Sequence, residues 1–161
     1  MKSYKYLLLI ILISISLTVF SQNKYTIDNG ALVLPKPILF EKSTDKIKTE
    51  SKETLDFIKA YLNDKSYVTL IRIEGNSFLE TGNDANQLLS EKRAMAVAKY
   101  LVDNGIDCKR IIAVGFGKDK PYSNVNSEND RILIKNAMLN GKAIGGMPVD
   151  GGGKVAGDCC K

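Results

Sequence analysis

The stretch YVTLIRIEGNSFLETGNDANQLLSEKRAMAVAKYLVDNG, residues 67–105, decides the fold. Tyr67 to Glu74 is rich in β-branched and aromatic residues, which suit a pleated, half-buried surface, and Gly75 ends the run. A polar loop follows. Ala94, Val97, Ala98 and Leu101 then fall at i, i+3, i+4 and i+7, the apolar stripe of an amphipathic helix. Asn104-Gly105 supplies the stop, because glycine enters the left-handed conformation without a Cβ penalty. Strand, loop and helix in that order predict a sheet with a helix packed on it.

Working outward, Ile111 to Val114 reads as the next strand, ending in Gly115-Phe116-Gly117. Pro121 sits in a loop, and Arg131 to Leu139, carrying Ile132, Leu133 and Ile134, reads as the last strand. Upstream, Leu55, Ile58 and Leu62 at i, i+3 and i+7 predict a first helix; Lys59 interrupts the stripe, and Phe57 and Tyr61 widen it. Thr49 is its cap candidate, and Glu50 and Glu53 suit the positive end of its dipole. Ile38 to Phe40, after Pro35 and Pro37, predicts an edge or first strand. Strands separated by helices predict an α/β class, an α+β sandwich of βαβαβ type with helices on a mixed sheet of about four strands.

The ends read differently. Lys2 and Lys5 precede an uncharged apolar run from Tyr6 to Phe20, with small residues before a cut between Ser21 and Gln22. This is the pattern of a cleaved secretory signal, and the run is shorter than the roughly 20 apolar residues of a membrane span. Residues 1–21 are therefore expected to be removed, leaving 140 residues, a formal charge of +3 and no integral span. Residues 22–36 form a lead-in and residues 37–140 the domain. Seven of the thirteen glycines lie between Gly141 and Gly157, so residues 141–161 are expected to be a flexible extension.

Composition removes several functions. The chain has no histidine, which excludes Ser-His-Asp and Cys-His catalysis and HExxH zinc sites. A charge of +3 without clustering does not point to nucleic acid. Gly115-x-Gly117 with Lys118 lacks the spacing of a phosphate loop. Cys108, Cys159 and Cys160 allow at most one bridge and leave one thiol over. No enzyme and no cofactor is expected.

The segment Ile73–Ala94 resembles the OmpA-like peptidoglycan-binding family, whose pattern runs roughly EGHTD, a loop with Gly, then NxxLSxxRA. Glu74-Gly75, Asn86, Leu89, Ser90, Arg93 and Ala94 stand at its spacings. Gly115-Phe116-Gly117 with Pro121 matches its GyGxxxP, and Ile38 and Phe40 its first strand. The resemblance covers about residues 36–135 and implies a non-catalytic, periplasmic or outer-membrane-associated protein. Its implied ligand is the diaminopimelate of the peptidoglycan stem peptide, with a loop Asp on the ammonium and a helix Arg on the carboxylate.

By position Arg93 takes the carboxylate role, which suits its planar fork. Asn86 is either a ligand contact or a loop brace. Ser77, Phe78 and Arg131 complete the candidate set. The departures lie here too: Phe78 occupies the place of the family Asp, where His-Thr-Asp has become Asn76-Ser77-Phe78. The nearest match to the family's Asn-Arg-Arg-Val run is Asn129-Asp130-Arg131-Ile132. A phenyl ring offers an ammonium only a cation–π contact, so the change should weaken a family-type ligand strongly unless another acid replaces it; Glu80 and Asp84 are nearest in sequence and read as solvated loop acids. The alternative is an envelope protein–protein module that kept the fold and lost diaminopimelate recognition, with Phe78 as an apolar anchor.

Overall fold

A computed structural model describes residues 24–145 and 151–161. The expected signal segment lies outside the described residues. In chain order the elements are β1 (Ile27–Asp28), β2 (Ala31–Leu32), α1 (Lys52–Asp64), β3 (Val68–Asn76), α2 (Asn83–Asp103), β4 (Ile111–Gly115), the single turn α3 (Asn126–Asn129), β5 (Arg131–Leu139), β6 (Lys142–Ala143) and β7 (Lys154–Val155). The sheet order is β1-β2-β5-β3-β4-β7, with β6 paired to β5. β3 and β4 run parallel and therefore need a long crossover, which α2 supplies; β3 and β5 run antiparallel.

Period-two alternation along β3 sorts its side chains. Ile71 and Ile73 join Ile111 and Ala113 of β4 and Ile132 and Ile134 of β5 against Leu55, Ile58 and Leu62 of α1 and Ala94, Val97, Ala98 and Leu101 of α2. Each large aliphatic side chain so buried contributes roughly 1.5–3 kcal/mol. Arg72 and Glu74 point to the opposite face, where Arg72 Nε donates to Glu74 Oε1 at 2.6 Å and Lys135 Nζ lies 3.7 Å from Glu74 Oε2. The C-terminus of α2 closes as Asn104-Gly105 predicts: Gly105 has φ +93°, its N–H donates to Val102 O, and Ile106 N–H donates to Leu101 O.

Two glycines bring α2 against the sheet. A Cβ at Gly75 would collide with the Ser90 carbonyl, and one at Gly115 would lie 2.5 Å from Glu91 N. The two are register partners on neighbouring strands, so the N-terminal half of α2 seats directly on their ends.

Several expectations are corrected. Ile38–Phe40 forms no strand; Phe40 makes a single bridge to Ile47, and β2 takes the place beside β5. Pro35 and Pro37 precede that segment and have no N–H to give a ladder. Thr49 does not cap α1. It opens a 3₁₀ turn, Thr49–Ser51, and Ser51 occupies the cap position with its hydroxyl turned to the backbone of Leu39, accepting from its N–H at 2.8 Å. Among the described residues the sheet has seven strands rather than about four, because two-residue strands extend it at both edges.

The glycine-rich segment also departs from the expected flexible extension. Asn140 and Gly141, both with positive φ, turn β5 into β6. Farther on, β7 pairs with β4 and Cys160 is disulfide-bonded to Cys108. The physical reason is that backbone pairing and one covalent bond fix a strand that has little apolar surface of its own. Residues 146–150 lie outside the described ones.

Candidate functional site

Gly75 faces both Ser90 and Ala94 of α2, and this contact brackets Arg93. Arg93 is consequently not a solvated helix arginine but is 3% exposed at the end of the sheet. Its Nε donates to Thr44 O at 2.8 Å, and Nη1 donates to both Oδ1 and Oδ2 of Asp130 at 2.9 Å. The guanidinium lies 4.6 Å from the Phe40 ring centroid. Asp130 reaches it because β5 pairs with β3 in a register that sets Arg131 opposite Asn76, placing the residue before β5 at the same end of the sheet.

Arg93 and Asp130 share a cavity of about 240 Å³ with Arg131, Lys42, Lys48 and Asn76, closed on its apolar side by Ile38, Leu39, Phe40 and Leu79. The ammonium groups of Lys42 and Lys48 have no partner among the described residues, so the lining carries a cationic excess beyond the Arg93–Asp130 pair. Arg131 Nη2 donates to Lys120 O at 2.9 Å, and its guanidinium stands 5.1 Å from the Tyr122 ring. Burial lowers the Arg131 pKa from its ordinary value, while Tyr122 and Glu74 act in the opposite sense. Asn76 is 1% exposed, and neither of its amide atoms has a hydrogen-bond partner among the described residues.

The other expected residues are dispersed. Asn86 is fully buried and braces the loop between β3 and α2: Oδ1 accepts from Ser77 Oγ and Glu80 N, while Nδ2 donates to the carbonyls of Glu80 and Gly82. Ser77 is engaged by Asn86 and by its own N–H bond to Gly117 O. Phe78 is half-buried and does not line the cavity; its neighbour Leu79 does. Neither Glu80 nor Asp84 lines it either. Of the five residues named from sequence, Arg93 and Arg131 come together there.

Sequence reasoning missed Asp130 as the partner of Arg93, although a signal was present: an Asp stands where the resemblance expects Arg, and a Phe where it expects Asp. It missed Asn129 as well. Asn129 mirrors Asn86, its Oδ1 accepting from Tyr122 N and Ser123 N and its Nδ2 donating to Ser123 O and Val125 O. This brace fixes the loop that delivers Asp130.

Comparison with known proteins agrees with this fold. The family model described as the OmpA family matches residues 39–134. "Probable lipoprotein YiaD" of Escherichia coli is 32% identical over 97 residues, covering 60% of this chain and 43% of that protein. The "Peptidoglycan-associated lipoprotein" of Pseudomonas putida is 30% identical over 101 residues, 63% of this chain and 60% of its own. The chain thus spans less than two thirds of the length of either relative. Among solved structures, the OmpA-like domain of FopA1 from Francisella tularensis superposes with a TM-score of 0.57 at 26% identity, covering 68% of this chain and 75% of that one.

Proposed function

The chain belongs to the OmpA family, and we propose that it is a non-catalytic, exported envelope protein whose domain holds peptidoglycan non-covalently, with the diaminopimelate of the stem peptide seated in the Arg93 cavity. The observation that carries this reading is the Arg93–Asp130 pair in the wall of a part-apolar cavity. A zwitterionic side-chain end needs one fixed cation and one fixed anion. Arg93 keeps Nη2, beside the Nε and Nη1 bonds to Thr44 and Asp130, for the carboxylate, and Asp130 replaces, from the opposite loop, the acid that Phe78 lacks. Charge-assisted hydrogen bonds of this kind contribute roughly 1.5–3 kcal/mol each. Lys42 and Lys48 add a field favourable to an acidic peptide.

Retention of the mature protein on purified sacculi, with free diaminopimelate as competitor, tests the reading. Asp130→Asn keeps the shape, removes the anion, and should weaken retention about tenfold or more. Arg93→Ala should abolish it; circular dichroism separates that loss from unfolding. Retention untouched by either change would move the function to the second reading, an envelope protein–protein module. That reading is favoured by Leu79, which stands at the cavity rim 42% exposed and could anchor an apolar partner side chain.

A further inference from the structure

The C-terminal strand lies outside the matched family region and on the other side of the sheet order from β5. Without β7, β4 would be a sheet edge with unpaired N–H and C=O groups, a template for another strand. The cover is slight. Two register pairs, Val114↔Val155 and Gly115↔Lys154, and one further bond from Ala156 N–H to Ala113 O make the ladder. Val155 itself is 51% exposed. What anchors the segment lies beyond the ladder: Cys159 sits in the hydrophobic core at 8% exposure, and Cys160 is bonded to Cys108.

The covered edge is selective for what lies on it. A Cβ at Gly153 would stand 2.5–2.8 Å from the Phe116 ring and Val114 Cγ1, so only glycine fits at that place. A strand must then also offer an apolar residue where Cys159 enters the core. The sequence on the page that meets these demands is the tail itself.

We propose that this tail is an exchangeable edge strand, retained on its own domain by the Cys108–Cys160 bridge, and that once the bridge is reduced the β4 edge accepts the tail of a second copy. A dithiol reductant supplies two electrons and two protons to the sulfur–sulfur bond and leaves as its own cyclic disulfide, giving two thiols. With the intramolecular tie gone, the same pairing is available between copies, the usual route of strand exchange. A small-molecule disulfide then closes the bond by thiol exchange: a mixed disulfide forms, the second cysteine thiolate attacks it, and two small thiols are released. Formed between copies, that bond links Cys108 of one to Cys160 of the other. In a docked tail Cys159 sits in the core, where burial pushes its thiol pKa up and leaves Cys160 as the sulfur placed to bond Cys108.

Light scattering of the full mature chain, oxidised and in dithiothreitol, over a range of concentrations tests the proposal. The oxidised form should stay monomeric, and the reduced form should approach about twice the mass as concentration rises. Reoxidation of a concentrated mixture of ¹⁴N- and ¹⁵N-labelled protein with oxidised glutathione should give a covalent dimer with mixed-label Cys108–Cys160 peptides. Gly153→Val, which clashes with Phe116 and leaves the cysteines intact, should suppress the dimer. Cys108→Ser should dimerise without reductant. A reduced protein that stays monomeric at every concentration, a dimer indifferent to Gly153→Val, or, in dilute monomer, hydrogen exchange at Ala156 unchanged by reduction would each overturn the idea.

Discussion

Three buried asparagines stand at one end of the sheet, and they are treated in opposite ways. Asn86 and Asn129 each make four hydrogen bonds and lock the two loops on either side of the cavity. Asn76, in the cavity wall between them, makes none among the described residues. The same side chain is thus a brace where the backbone turns around it and an uncommitted amide where a ligand would sit. An unsatisfied buried amide costs about 1–3 kcal/mol. The contrast separates residues that brace the two loops from one whose buried amide stays uncommitted behind the cavity lining.

Breaking the braces should have the largest effect. Asn86→Ala leaves the Ser77 hydroxyl, the Glu80 N–H and two carbonyls without their partner, and should destabilise the fold by about 2–3 kcal/mol, read as a lower urea midpoint at unchanged slope. Asn129→Ala should follow at about 1–2 kcal/mol, since its longest bond, 3.3 Å to Val125 O, is already weak. Equal costs for Asn86→Ala and for a substitution at exposed Asn83 would erase the comparison.

Asn76→Leu sharpens it from the other side. Removing an unpartnered amide should leave stability unchanged or raise it by up to about 1 kcal/mol. Retention on sacculi should nevertheless fall. A variant that both unfolds and loses binding would mean that Asn76 is a third brace. The smallest effect is expected from Phe78→Asp, which restores an acid at the family position. Phe78 does not line the cavity and Asp130 already faces Arg93, so calorimetric affinity for stem peptide should scarcely move. A large gain would show that the loop acid still governs recognition.

The elements legible in the sequence were those fixed by local periodicity. The stripe Ala94, Val97, Ala98, Leu101 and the stop at Asn104-Gly105 located α2, and the apolar run after Arg131 located β5 at its true bounds. Arg93 was legible through the family pattern. Its partner was not, because the meeting of positions 93 and 130 depends on the β3–β5 register, which no local pattern records. Phe78 and Leu79 illustrate the same limit: alignment names a position, whereas loop geometry decides which of two neighbours faces the cavity. The tail was misread for a related reason. Its composition speaks of chain entropy, but one bridge across a sequence separation of 52 and a ladder to β4 are long-range facts.

The lead-in has a mechanical meaning. Tyr25 is pinned near the C-terminal end of α1, its hydroxyl donating to Asp64 Oδ2 at 2.6 Å and its ring 5.2 Å from that of Phe57. That end of α1 adjoins the start of β3, whereas the cavity lies at the finish, beside Asn76. Nine residues of strand, at about 3.3 Å each, separate the two poles. The lead-in is thereby held at the pole of the sheet away from the cavity, and a disturbance at either pole reaches the other along β3 and its ladders with β4 and β5.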